Sequence, residues 1–163
     1  MVSIFKLLIG ALSGLFLFSA FAPINFWPGA IVGLAGLFFA LKDESFINRF
    51  FAGFICGSTF FLPLLHWSST YVGSLPWLIL GIGQALIFAL VGVLPIKSNL
   101  SGVISFSASF MAVEILRMKF PFGGFGWGRV GFTQVDSLSN LYPFISVTGI
   151  SLLVALLGSL LIY

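Results

Sequence analysis

The chain predicts an all-α fold, a polytopic bundle of about six membrane-embedded segments, and three observations carry that prediction. Hydrophobic residues make up 60% of the 163 positions. Charged residues make up 7%, against about 25% in an ordinary soluble domain, too little polar surface to face water on all sides. The apolar residues also fall into long runs separated by short stretches rich in proline, glycine or charge. The 163 residues therefore read as a single multi-pass membrane domain.

The first run extends from Ile4 to Ala22, with Lys6 near its start. Ala20-Phe21-Ala22 imitates a signal-peptidase site, but Pro23 would become the first mature residue and the downstream sequence is equally apolar, so an uncleaved first span with a cytoplasmic N-terminus is expected. Ala22 to Pro28 breaks the helix through two prolines and sets Trp27 at a membrane–water interface. The run from Pro28 to Leu41 is shorter than the 17 to 25 residues a span usually needs, and is either a tilted short span or a re-entrant arm. Lys42-Asp43-Glu44-Ser45-Phe46-Ile47-Asn48-Arg49 is a solvated loop. A third run, Phe50 to Leu65, ends in His66-Trp67, read as an interfacial pair.

After a polar turn from Ser68 to Leu75, the fourth run goes from Pro76 to Ile96 and encloses Gln84. An amide facing lipid is costly, so Gln84 is expected to face another helix. Lys97-Ser98-Asn99 is a minimal loop. The fifth run, Leu100 to Leu116, carries Ser101, Ser105 and Ser109 at four-residue spacing on one face. Gly10 and Gly14, Gly29 and Gly33, and Gly53 and Gly57 give the first three runs similar small-residue faces, which let helices approach closely. Tyr142 to Tyr163 is the sixth run. With six spans and an internal N-terminus, Lys6, Lys42, Arg49 and Lys97 lie inside, whereas Arg117, Lys119 and Arg129 lie outside, a weak positive-inside bias.

Glu114 to Gln134 is the exception to the apolar pattern. Glu114, Arg117, Lys119 and Arg129 lie within 16 positions of one another. Pro121, Gly123, Gly124, Gly126 and Gly128 exclude a regular helix, and Phe120, Phe122, Phe125 and Trp127 are interleaved among them. Glu114 and Arg117, three apart, are placed to form an ion pair at a helix end. Alternatively, Arg117, Lys119 and Arg129 hold a lipid phosphate beneath an aromatic wall that includes Phe125 and Trp127. The glycines lack the Gly-Lys-Ser/Thr of a nucleotide loop. One histidine, one cysteine and four carboxylates at these spacings do not assemble a metal site, and the scattered basic residues form no nucleic-acid stripe. No cofactor is expected.

The pattern resembles the membrane part of the apolipoprotein N-acyltransferase family. The resemblance is carried by Ser19-Ala20-Phe21-Ala22-Pro23 with Phe26-Trp27-Pro28, by Gly53 to Trp67, by Glu114-Ile115-Leu116-Arg117 with Gly124-Phe125-Gly126-Trp127 and Gly131-Phe132-Thr133-Gln134, and by Pro143 to Leu153. It implies a bacterial plasma-membrane protein whose substrates are a phospholipid acyl donor and a lipoprotein. It implies Trp127 foremost as a substrate contact, beside Glu114, Arg117, Phe125 and Arg129, which the chemistry of the stretch makes candidates for holding lipid. The family's chemistry belongs to a nitrilase-like domain with a Glu-Lys-Cys triad. Cys56, inside a span, cannot replace that nucleophile. The chain is thus expected to be a fragment, a truncated product or one subunit of a split enzyme, inactive alone and with no catalytic residue of its own. A non-catalytic scaffold for a polyprenol-phosphate mannosyltransferase is the alternative. A small transporter would need more polar residues along a midplane path than Gln84 and scattered serines.

Overall fold

A computed structural model describes residues 3–163 of the chain, and within them there is no strand. Six long helices form the bundle: α1 (Ile4–Ser19), α2 (Pro28–Leu41), α3 (Phe46–Leu64), α4 (Ser74–Phe88), α5 (Leu100–Arg117) and α6 (Tyr142–Leu160). Their limits follow local chemistry. Pro28 occupies the first turn of α2, where a missing N–H costs nothing. The Ser45 hydroxyl accepts from Asn48 N–H to cap α3, and Asn99 Oδ1 accepts from Gly102 N–H at 2.9 Å to cap α5. A 3-10 segment, Ala89–Gly92, extends α4. The last helix is broken at Ser146, whose φ of 59° lies outside helical values.

The helices run alternately between two ends. At the near end, where α1 begins, Lys6 pairs with Glu44 at 2.9 Å and Lys42 Nζ donates to Ile162 O. Asp43 N–H donates to Ile96 O at 2.8 Å, and the Ser98 hydroxyl donates to the Asp43 carboxylate. That hydroxyl holds the Asp43 carboxyl below its ordinary range, and Asn48 with Lys6 does the same for Glu44. At the far end lie the turn before α2, the His66–Val72 connection and the Arg117–Tyr142 segment. Lys6, Lys42, Arg49 and Lys97 are thus grouped at the near end, and Arg117, Lys119 and Arg129 at the far end.

The short second run is settled by this arrangement. Gln134 Nε2 donates to Trp27 O at the far-end start of α2, while Lys42 at its other end meets Lys6. So α2 crosses the bundle from end to end and is not re-entrant, although its fourteen residues reach only about 21 Å. It manages this because α1, α3 and α6 enclose it: Gly29, Ala30, Gly33, Leu34, Ala35, Leu37 and Phe38 are all buried. Four helices, by length and composition, are long and apolar enough to cross a membrane, and α1 and α2 are shorter apolar helices beside them.

Packing, rather than exclusion from water, must hold such a bundle in lipid. Two features provide it. A column of rings from four helices fills the centre: Phe38 meets Phe106 at 5.5 Å, Phe61 meets Phe88 at 5.7 Å, and Phe88 meets Phe110 at 6.1 Å. Glycine faces bring backbones together elsewhere. A Cβ on Gly14 of α1 would sit 2.2 Å from Cys56 O of α3, and one on Gly57 of α3 would sit 2.9 Å from Ala85 Cα of α4.

Candidate lipid site at the far end

The Glu114–Gln134 segment leaves the helical register as its prolines and glycines require. α5 stops at Arg117, and the chain turns back so that Gly124 N–H donates to Pro121 O at 2.8 Å and Phe125 N–H to Arg117 O at 2.6 Å. Gly124 has a φ of +87°, and a Cβ there would lie 2.1 Å from Met118 O, so only glycine serves. A short 3-10 stretch, Val130–Gln134, leads on toward α6.

Beneath this turn lies a buried polar cluster. Arg117 is fully enclosed: its Nε donates to Gln84 Oε1 at 2.6 Å, its Nη2 donates to Trp127 O at 2.7 Å, and its guanidinium lies 4.2 Å from the Phe61 ring centroid. Gln84 therefore does face a neighbouring helix, as its polarity demands. Glu114 accepts from Val130 N–H at 2.7 Å, and its other oxygen lies 3.5 Å from Arg129 Nε. Arg129 Nη2 donates to Thr148 Oγ1 at 2.6 Å on α6. Gly131 N–H donates to Ser151 Oγ at 2.8 Å, and the Tyr142 hydroxyl donates to Gly131 O. These bonds tie the segment to α3, α4, α5 and α6 at once.

The ion pair expected between Glu114 and Arg117 is not the one that forms. Among the described residues Glu114 pairs with Arg129, because Arg117 is drawn sideways to Gln84 and to the returning backbone at Trp127. Burial separates the residues singled out from sequence into two groups. Glu114, Arg117 and Arg129 lie inside, whereas Trp127 is 55% exposed and Lys119 is exposed. Phe125 is half-buried and packs on the core.

Above the cluster is an apolar cavity of about 570 Å³. Its walls come from the turn after α1 (Phe21, Ala22), from Leu64 at the end of α3 and Trp67 just beyond it, and from the far-end segment (Gly126, Trp127, Gly128, Phe132). Trp67 and Trp127 stand with ring centroids 5.7 Å apart. Gly128, at φ +78°, matters to the floor: a Cβ would come within 2.7 Å of Leu64 Cδ2. A smaller, polar recess of about 140 Å³, lined by Asn25, Thr133 and Asp136 among others, shares Phe21, Ala22 and Phe132 with the cavity. The arrangement suits a flexible apolar chain with a polar group at one side. Cys56 is buried within α3.

Sequence reasoning singled out Trp127 but not Trp67, whose ring faces it. Trp67 reads as an interfacial anchor, and Phe21, Leu64 and Phe132 read as ordinary apolar residues. The one available signal is that Phe-Ala-Pro closes the first run, His-Trp follows the third and Gly-Trp-Gly lies in the segment after the fifth, at what an alternating topology makes the same end.

Comparison with known proteins agrees with this architecture. A family model described as the apolipoprotein N-acyltransferase N-terminal domain matches residues 13–160. A protein of Pasteurella multocida named apolipoprotein N-acyltransferase is 29% identical over 162 residues, covering 93% of this chain and 31% of the relative. One of the same name from Haemophilus influenzae is 28% identical over 158 residues, covering 90% and 30%. A third, from Mycolicibacterium smegmatis, is 38% identical over 81 residues, covering 48% and 14%. The chain thus spans about 30% of the length of the first two relatives.

Proposed function

The chain belongs to the apolipoprotein N-acyltransferase family, within its N-terminal domain, and on that premise we propose that it is the lipid-holding membrane region of such an enzyme. The enzyme would move an acyl chain from a phospholipid to the amino group of an N-terminal diacylglyceryl-cysteine on a lipoprotein. The observation that carries this reading is the apolar cavity between Trp67, Trp127 and Phe132, open at the end of the bundle. An acyl chain would lie along these rings, with Lys119 and the polar recess beside Asp136 available to a head group. Glu114, Arg117 and Arg129 would act by holding Trp127 and Gly128 in place, since all three are buried and bonded to the segment or to the helices around it.

Bond making is assigned to a nitrilase-like Glu-Lys-Cys triad, which these residues do not supply. Its thiolate would take the acyl group as a thioester, releasing a lysophospholipid, and the lipoprotein amine would then displace the thiol. The bundle would present the donor to that triad from the outer side of a bacterial plasma membrane, with the near end cytoplasmic.

The test uses the purified chain in lipid nanodiscs with a phospholipid carrying a diazirine in its acyl chain. Labelling should concentrate on peptides holding Trp67 and Trp127. Trp127→Ala should reduce it about tenfold, the loss expected when roughly 1.5 kcal/mol of ring contact is removed. Gly126→Leu should do the same by filling the cavity, since a Cβ there meets only Met118 Cγ at 3.5 Å and the bundle need not shift. Labelling unchanged in both variants would reduce the far-end segment to a connector.

A further inference from the structure

We infer, resting on the lipid-holding reading of the site, that Leu64 sets the length of acyl chain the far-end cavity accepts. Its side chain is the stop against which the methyl end of the chain comes to rest.

Leu64 differs from the other residues around the cavity. It alone belongs to a long helix, as the last residue of α3, while the rest lie in the connections of the far end. Leu64 is therefore the innermost point of the wall. It is 7% exposed and part of the core, whereas Trp67, Trp127 and Phe132 are each about half exposed.

The layer behind Leu64 is closed. Phe60 and Phe61 stand one helical turn deeper on α3, with ring centroids 4.4 Å apart. A Cβ built on Gly128 would meet Leu64 Cδ2 at 2.7 Å, Phe61 Cε1 at 3.2 Å and Phe60 Cζ at 3.6 Å, so these three side chains pack together under the Gly128 backbone. Phe61 also carries the Arg117 guanidinium at 4.2 Å, and Phe60 supports the Phe21 ring of the cavity wall at 5.5 Å. A chain end passing Leu64 would have to displace packed rings or approach a buried cation.

The other end of the chain is held by its own chemistry. A phospholipid head group cannot follow its tail in among Trp67, Trp127 and Phe132, so it stays at the mouth. A chain too long for the space must crowd Leu64, at a cost of about fivefold or more. Otherwise it must lift methylenes into water, at about fourfold for each. A chain too short leaves the rings around it without contacts. One rigid inner wall and one fixed outer end thus give the cavity, of about 570 Å³, a preferred chain length.

The experiment places the purified chain in nanodiscs with phospholipids whose acyl chain ends in a diazirine, in a series of lengths, and locates the adducts by mass spectrometry. Labelling of the cavity should rise with length to a maximum and then fall. Leu64→Ala draws back the stop and should move the maximum to chains about two or three carbons longer. Leu64→Phe advances it and should move the maximum about as far toward shorter chains. Leu64→Met, of similar volume, should leave it in place. Should Leu64→Ala fail to fold, Leu64→Phe decides alone. Labelling independent of chain length, or a maximum unmoved in either folded variant, would overturn the role of Leu64 while leaving the lipid-holding reading intact. No labelling of the native cavity at any length would remove that reading, and the role of Leu64 with it.

Discussion

At the residue scale, the far-end site rests on three buried charges whose roles differ. Arg117 is a tie: one side chain reaches Gln84 on α4, the Phe61 ring on α3 and the carbonyl of Trp127. Glu114 and Arg129 form the only buried ion pair among the described residues, with Val130 N–H sharing the carboxylate. Removing one member of such a pair leaves the other charged and uncompensated in a medium without water, which costs far more than the pair itself contributes. Glu114→Ala should therefore destabilise the chain by about 3 kcal/mol, read as a fall in the midpoint of unfolding in mixed detergent. Lys119→Ala, at an exposed position only five residues on, should change it by less than about 0.5 kcal/mol. Equal effects of the two would mean that the cluster does not hold the segment.

At the scale of elements, glycine placement decides which helices meet. Gly14 and Gly83 show the contrast. A Cβ on Gly14 would fall 2.0 Å from Thr59 Oγ1 and 2.2 Å from Cys56 O, so α1 and α3 would have to separate. On Gly83 of α4 it would meet nothing within 4 Å. Gly14→Ala should cost about 1–3 kcal/mol through overpacking, and Gly83→Ala should gain about 0.5–1 kcal/mol from helix propensity. Thermal unfolding of the two variants beside the native chain checks both signs. The same logic explains how α2, too short for an ordinary span, still crosses: its small buried residues let three neighbours close around it, and its own ends need not reach the bilayer surfaces.

For the whole molecule, alternation of six helices sorts the charges. The near end gathers the Lys6–Glu44 pair, Lys42, Arg49 and Lys97, while the far end gathers Trp67 and Trp127 at the cavity and Trp27 at the smaller recess beside it. Phe122, fully exposed beside Lys119, marks the tip of that far end. On the proposed orientation, with the near end cytoplasmic, Lys119→Cys should react with a membrane-impermeant maleimide in intact spheroplasts, and Lys97→Cys should react only after lysis. The reverse pattern would place the cavity on the cytoplasmic side and contradict the proposed outer-side role.

The fold class was legible in the residues alone, because hydropathy, proline and glycine act over one or two helical turns. The helix limits were only partly so: Phe46 to Arg49, read as the end of a solvated loop, is the first turn of α3, where Arg49 is buried and donates to Gly92 O at 2.8 Å. The break after Arg117, the turn before Pro28 and the inward facing of Gln84 all follow from such local costs. Distant pairings decided the rest. Arg117 takes Gln84, 33 positions earlier, over Glu114 three positions away, and Trp67 meets Trp127 only because α3 and α5 finish at the same end. The run from Pro28 to Leu41 fits a short span or a re-entrant arm equally well until its two ends are seen bonded to Gln134 and Lys6 through their backbone carbonyls. Those choices depend on which surfaces close against one another, and a linear pattern carries no term for that.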